Sequence, residues 1–279
     1  MSRLFVFGLG YTASALARRL GGEGWRVVGT TRDGRDGSVR FADAERVAAE
    51  IVAATHILSS VPPEDGADPV LAAHGERIAA RRCWTGYLSS TGVYGDAGGA
   101  WVDESAPAGG GRRVARVAAD RAWLALGARV FRLPGIYGPG RSPLERVREG
   151  RAHRVGLPDQ VFSRVHVEDI VAGVVAALAG PAGAYNLADD NPCDQDRVVS
   201  FAAELLGLPA PPLVSLDSLS PMARAFYAEN RRVATGKAKR VLGWAPRYPD
   251  YRFGLRALRA TTSPMPVSTP PPAASNDQR

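Results

Sequence analysis

The chain has 279 residues, 45% hydrophobic and 23% charged: enough apolar material for one sizeable domain or two small ones, and too much for wholesale disorder. Its net charge of +7 comes almost entirely from arginines scattered as singles and pairs (Arg18-Arg19, Arg81-Arg82, Arg112-Arg113, Arg231-Arg232), without the aromatic-interleaved patch of a nucleic-acid surface. No run approaches the ~20 apolar residues of a membrane helix, and Cys83 and Cys193 stand far apart with no metal-ligand or disulfide spacing, so nucleic acid, membrane and metal are all disfavoured.

The amino terminus enters an apolar run at once and reads as a first strand, Leu4–Phe7, not as a signal peptide, which makes the cytoplasm the expected compartment. A glycine turn and a helix near Tyr11–Leu20 follow, then strands at Trp25–Thr30, Ser38–Phe41 and Thr55–Ser60. A helix is expected from Pro69 to Arg81, a strand from Trp84 to Ser89, a helix over Arg113–Leu126 and a strand at Ala128–Leu133. Alternation of short β-rich runs with Ala-rich helical stretches predicts an α/β fold, a doubly wound parallel sheet with crossover helices.

Beyond Leu133 the regularity breaks through Asp159; a helix over Val167–Ala179, a strand at Ala184–Leu187, a helix over Asp194–Leu206 and a last helix near Tyr251–Ala260 are expected. This divides the chain into a nucleotide-binding domain, 1–180, with a cleft-lining insert at 135–165, a small C-terminal substrate lobe, 181–260, and a Pro/Ser/Thr-rich disordered tail, 261–279.

The first strand meets the first helix through Gly8-x-Gly10-x-x-Ala13. Glycine at 8 serves the turn, and a side chain at 10 would block a pyrophosphate from the helix N-terminus, whose free N–H groups attract anions. Ala13 stands where the third glycine serves helix–strand packing. Gly8, Gly10, Tyr11, Thr12 and Ala13 are therefore the dinucleotide-binding candidates of a Rossmann-type fold. At the tip of the second strand an NAD site would carry Asp or Glu on the ribose hydroxyls. Here the chain reads Gly29-Thr30-Thr31-Arg32, so Thr31 and Arg32 suit the 2′-phosphate of NADP, while Asp33 could still recover the hydroxyl contact of NAD.

At the end of the fifth strand, Tyr87-Leu-Ser-Ser-Thr-Gly-Val-Tyr-Gly gathers hydroxyls at the carboxyl edge of the sheet, where such folds bind ligands. These hydroxyls can equally cap a turn.

That segment, with Val102-Asp-Glu-x-x-Pro, Arg132-Leu-Pro-Gly-Ile-Tyr-Gly-Pro-Gly, Arg164-Val-His-Val-Glu-Asp-Ile and Lys239-Arg-Val-Leu-Gly-Trp-x-Pro, resembles the extended short-chain dehydrogenase/reductases, the NAD(P)-dependent epimerase/dehydratase family, in its atypical branch. The motifs run in the family's order from residue 3 to about 258. The resemblance implies hydride transfer between NADP(H) and a carbonyl or alcohol, with nucleotide sugars as a substrate class by analogy, and a homodimer. It places Ser90 on the reacting oxygen, and Ser59, Val61 and Pro134 beside the cofactor.

It also implies a Tyr-x-x-x-Lys pair on the helix after the fifth strand, the tyrosine as general acid/base and the lysine on the ribose. Aligned on Asp120, those positions hold Arg112 and Arg116, and no tyrosine lies between Tyr94 and Tyr137. Arg116 can bind the cofactor as the lysine would, or pair with Asp120 one turn along the helix, but it stays protonated. Tyr94, Tyr137 and Asp68 are candidate replacements for the acid/base; Asp68 reads equally as a helix cap before Pro69. A fourth alternative is that nothing replaces the tyrosine. His166 reads as a structural histidine and Asp169 as a helix anchor. The rival to an enzyme is an NADP(H)-binding sensor without turnover.

Overall fold

The computed structural model describes residues 1–109, 114–157 and 159–262. In chain order it comprises β1 (Arg3–Phe7), α1 (Tyr11–Gly22), β2 (Arg26–Thr31), β3 (Val39–Arg40), α2 (Ala44–Ala53), β4 (His56–Ser59), α3 (Pro69–Ala79), β5 (Trp84–Ser90) and β6 (Trp101–Val102). Next come α4 (Val114–Ala125), β7 (Arg129–Leu133), β8 (Gly135–Tyr137), α5 (Pro143–Arg148), β9 (Arg164–His166), α6 (Val167–Ala176) and β10 (Gly183–Asn186). The chain finishes with α7 (Gln195–Leu206), α8 (Pro221–Phe226), β11 (Arg232–Val233), α9 (Gly236–Leu242) and α10 (Tyr251–Thr262).

Seven strands form one parallel sheet in the order β3-β2-β1-β4-β5-β7-β10. The order reverses between β1 and β4, and this switch point opens a crevice at the carboxyl ends of the strands. Strand β1 shows why both faces are covered. Leu4 and Val6 join Leu16 and Leu20 of α1 and Ile170 and Val174 of α6, whereas Phe5 and Phe7 join Val47, Ile51, Val70, Ile78 and Trp123 on the other face. Successive side chains alternate across the sheet, so a strand buried on both sides must be apolar throughout.

A third apolar cluster, built from α5, α7 and α10 around Tyr137, Leu144, Val198 and Leu255, stands over the carboxyl edge of the sheet. Two short parallel ribbons, β8 with β9 and β6 with β11, connect it to the sheet.

Three sequence expectations need correction. Helix α2, capped by Asp43 accepting from the Arg46 N–H, was not anticipated between the third and fourth strands, although a parallel sheet requires a crossover there. Strand β10, assigned by sequence to the small lobe, is the edge of the central sheet, paired with β7 through Ala184↔Val130 and Tyr185↔Phe131. Helix α10 extends through Thr261 and Thr262, assigned to the tail. The rest of the tail, 263–279, and Arg112 lie outside the described residues. Among the described residues no helix is long and apolar enough to cross a membrane.

Candidate active site

A cleft of about 520 Å³ opens at the switch point. Its floor is the turn between β1 and α1. Gly8 has φ +83°, and a Cβ there would lie 2.9 Å from Val61 Cγ2, so glycine serves both the left-handed backbone and the contact with the end of β4. The turn is tied to β2, the Gly8 N–H donating to Thr30 Oγ1 at 3.0 Å and the Leu9 N–H to the Thr30 carbonyl at 2.8 Å.

Gly10 is the opposite case. Its φ is −84°, and a Cβ there would meet nothing within 4 Å. It is the N-cap of α1 and offers no side chain to the first-turn N–H groups, so the positive end of the helix faces open space at Tyr11 and Thr12. Ala13 is fully buried against the sheet. The Tyr11 hydroxyl donates to the Pro139 carbonyl at 3.0 Å, tying the floor to the loop above.

At the tip of β2, Thr31 Oγ1 is engaged inside its own turn, accepting from the Gly34 N–H at 2.9 Å and lying 2.7 Å from Ser38 Oγ and 3.1 Å from Asp33 Oδ1. The Asp33 carboxylate also takes the Arg35 N–H and pairs with its guanidinium at 3.7 Å; these contacts hold its pKa below the usual range, the Thr31 hydroxyl first. Arg32 is exposed and makes no ion pair or hydrogen bond with any described residue. At the end of β4, Ser59 is fully buried and its Oγ has no hydrogen-bond partner among the described residues.

Ser89 and Ser90, ending β5, and Thr91 just beyond it all line the cleft. Ser89 Oγ turns inward and donates to Asp120 Oδ2 at 2.7 Å. Ser90 Oγ accepts from the Gly92 N–H at 3.1 Å, capping the one-turn helix Thr91–Tyr94. That bond fixes the oxygen and leaves its hydrogen to donate. From α4, Arg116 reaches the cleft with Nη1 donating to the Tyr87 hydroxyl at 2.7 Å. The expected Arg116–Asp120 pair is absent: Asp120, with no solvent exposure, points into the core, where Arg132 of β7 meets both its oxygens. Pro134 continues the wall above β7.

The three proposed replacements for the missing tyrosine are placed elsewhere. Asp68 is the N-cap of α3: one oxygen accepts from the N–H groups of Val70 and Leu71, the other from the Trp123 indole at 2.9 Å, and it does not line the cleft. The Tyr94 hydroxyl donates to Asn186 Oδ1 at 2.8 Å and accepts from Arg132 Nη1 at 3.0 Å, also away from the cleft. Tyr137 lines an adjoining cavity of about 420 Å³; its hydroxyl is buried without a hydrogen-bond partner among the described residues, and its ring meets that of His166 edge-on at 5.1 Å. Burial raises the pKa of Tyr11, Tyr94 and Tyr137, the opposite of what a general base requires.

The outer wall of the cleft joins Val161, Phe162 and Ser163, which fall in the expected cleft-lining insert 135–165, to Phe226, Glu229 and Arg231, which no motif signalled. Arg231 pairs with Glu229 at 2.8 Å and donates to the Gly95 carbonyl at 2.5 Å. His166 caps α6, its Nδ1 accepting from the Glu168 N–H at 3.3 Å, and Asp169 accepts from the N–H groups of Arg247 and Tyr248, anchoring the C-terminal segment.

No family model matches the chain. The solved structure of a functionally unknown conserved protein from Silicibacter pomeroyi is 45% identical, with a TM-score of 0.87 over 94% of this chain and 99% of that one. The structure of dTDP-glucose 4,6-dehydratase from Bacillus anthracis, in complex with NAD, has a TM-score of 0.76 at 18% identity over 93% of this chain and 96% of its own. The human epimerase family protein SDR39U1, with NADPH, has a TM-score of 0.74 at 19% identity over 92% of this chain and 99% of its own. The chain shares the fold of these two proteins. A 3-diazoavenalumate denitrifying reductase from Streptomyces is 31% identical over 145 residues, 47% of this chain; the chain spans about half the length of that relative, 46%.

Proposed function

We propose that this chain binds NADP(H) and transfers hydride between it and a small-molecule substrate held in the cleft. The observation that carries this reading is the uncapped N-terminus of α1 above Gly10, where the space a Cβ would enter is open. The nicotinamide cofactor bound by the similar structures and the reductase relative support it.

The residues present suit a dinucleotide. Gly8, Gly10 and the first-turn N–H groups at Tyr11, Thr12 and Ala13 would take the pyrophosphate, and the unpaired Arg32 the 2′-phosphate, with Thr31 ordering the turn that presents it. Ser59, Val61, Arg116 and Pro134 border the remaining length. When bound, the cofactor supplies or accepts the hydride.

The Ser90 hydroxyl, its oxygen fixed by the Gly92 N–H, donates to the substrate oxygen. Arg116, held by Tyr87, contributes a fixed positive charge and no proton. None of Asp68, Tyr94 and Tyr137 lines the cleft, so the proton completing a reduction comes from water in the open cleft. General acid–base catalysis contributes about 10²–10⁴-fold, and turnover is correspondingly slow for carbonyl substrates. The protein acts as a homodimer in the cytoplasm.

A cofactor sensor without turnover is the second reading. It is favoured by one observation: the only phenol lining the cleft among the described residues is Tyr11, whose hydroxyl is committed to Pro139. Incubation with NADPH deuterated at C4, and mass spectrometry of a carbonyl panel, separates the two. Deuterium in a product, lost in Ser90→Ala, supports the enzyme; none with any acceptor, despite tight binding, supports the sensor.

A further inference from the structure

The cleft and the adjoining cavity share one wall, built around an aromatic stack. Phe226 lies parallel to Phe162 at 4.6 Å with 13° between the rings, and Tyr227 stands edge-on to both at 5.9 and 5.6 Å. Phe226 lines both cavities yet is 48% exposed. A large apolar ring held in a stack and left open toward a ligand cleft is a surface for another flat apolar group, since offset stacking adds to the gain from burial.

The charges around this wall narrow the choice. Arg141 lines both cavities; it is exposed, has no carboxylate partner among the described residues, and stands 5.7 Å over the ring of Tyr11. Arg116, which lines only the cleft, is held by the Tyr87 hydroxyl. Arg231 is held by Glu229 and Gly95, Arg151 by Glu149, and Arg164 by the carbonyls of Phe162, Cys193 and Asp194 and by Gln195. Arg146, also without an ion pair in the described structure, lines only the outer cavity. The one carboxylate of that cavity, Glu145, is tied into the capping box of Ser142. Among the described residues Arg141 is the one guanidinium that lines both cavities, and one cation there suits one carboxylate better than a diphosphate, which needs several converging donors.

We infer that the substrate is a planar aromatic or conjugated carboxylic acid, its ring stacked on Phe226 and its carboxylate met by Arg141. This rests on the cleft being the site of hydride transfer, and it names the substrate class for that site.

The test uses the full chain saturated with NADP and four probes: cinnamate, its neutral amide cinnamamide, hexanoate and UDP, with affinities from calorimetry and ring contacts from saturation-transfer NMR. Cinnamate is expected to bind more tightly than hexanoate or UDP. Phe226→Ala should weaken it by about tenfold, and Phe226→Leu, which keeps bulk without an aromatic face, by nearly as much. Arg141→Gln should weaken cinnamate by about tenfold and leave cinnamamide unchanged. UDP binding more tightly than cinnamate, or cinnamate affinity indifferent to both positions, overturns the inference. NADPH titration of the same samples separates the two levels. NADPH bound with cinnamate ignored removes the substrate assignment alone; NADPH unbound removes the proposed function and the substrate assignment with it.

Discussion

Asp120 of α4 and Arg132 of β7 form a two-point ion pair beneath the cleft, Arg132 Nη2 donating to Oδ1 at 2.8 Å and Nε to Oδ2 at 3.1 Å, with both side chains removed from solvent. Ser89 adds a third bond to the carboxylate, and Arg132 passes the network on to Tyr94 and Asn186. The pair ties α4, β5, β7 and β10 together just below the residues that face the ligand. Removing one partner of a buried pair strands the other charge, which costs about 3–5 kcal/mol. Asp120→Ala should lower the free energy of unfolding by that amount in a urea titration; a loss no larger than that of an exposed pair would mean that Arg132 finds another partner or water.

Tyr94 belongs to this network. Tyr94→Phe removes one hydroxyl from two buried hydrogen bonds and should cost about 1–3 kcal/mol of stability, while deuteride transfer by the remaining folded protein stays at the wild-type rate. A selective loss of transfer with unchanged stability would return Tyr94 to the list of acid/base candidates.

The two glycines of the first turn should part company. Gly10→Ala places a methyl group in open space at an ordinary φ, so melting of the cofactor-free protein should be unchanged while NADPH affinity falls by more than about tenfold. Gly8→Ala must hold φ +83° and displace Val61, and should destabilise the cofactor-free protein by about 1–3 kcal/mol. Equal behaviour of the two variants in both assays would contradict this assignment.

How far the sequence could be read follows from the range of each interaction. Gly8, Gly10 and the Thr31-Arg32 tip are legible because they act through local backbone geometry on a strand–turn–helix unit. The hydroxyls of Ser89 and Ser90 are legible as a cluster, but their division of labour is not: one turns inward to Asp120 and the other caps a turn in the cleft. Asp120 pairs across the fold with Arg132 where helical spacing points to Arg116, because the pairing depends on how α4 sits over β5 and β7. Helix α2 was missed although the parallel order of β3 and β4 demands it, and the wall of Phe162 and Phe226 is assembled from segments more than sixty residues apart that carry no motif.

Asp189 should make the stability of the fold depend on pH. It is 2% exposed, and burial, opposed by Arg164 and the Asn191 N–H, raises its pKa from 3.8 to about 8. Between those values the folded protein keeps a proton that the unfolded chain has lost, so this group makes stability fall as pH rises, by at most about 1.4 kcal/mol per pH unit. Asp189→Asn mimics the protonated acid. The variant should match the wild type near pH 4 and become progressively more stable than it toward pH 8, as followed by urea unfolding across that range. A constant difference at all pH values would show that Asp189 does not titrate in this window.

The most direct test of the central claim is a fluorescence titration of the purified protein with NADPH and NADH, repeated with Arg32→Ala. NADPH should bind more tightly, a preference that disappears in the variant because its affinity for NADPH falls to that for NADH. Binding of neither cofactor would contradict the claim that the turn at Gly8 and Gly10 is a dinucleotide site; a preference for NADPH that survives in Arg32→Ala would contradict the role given to that arginine.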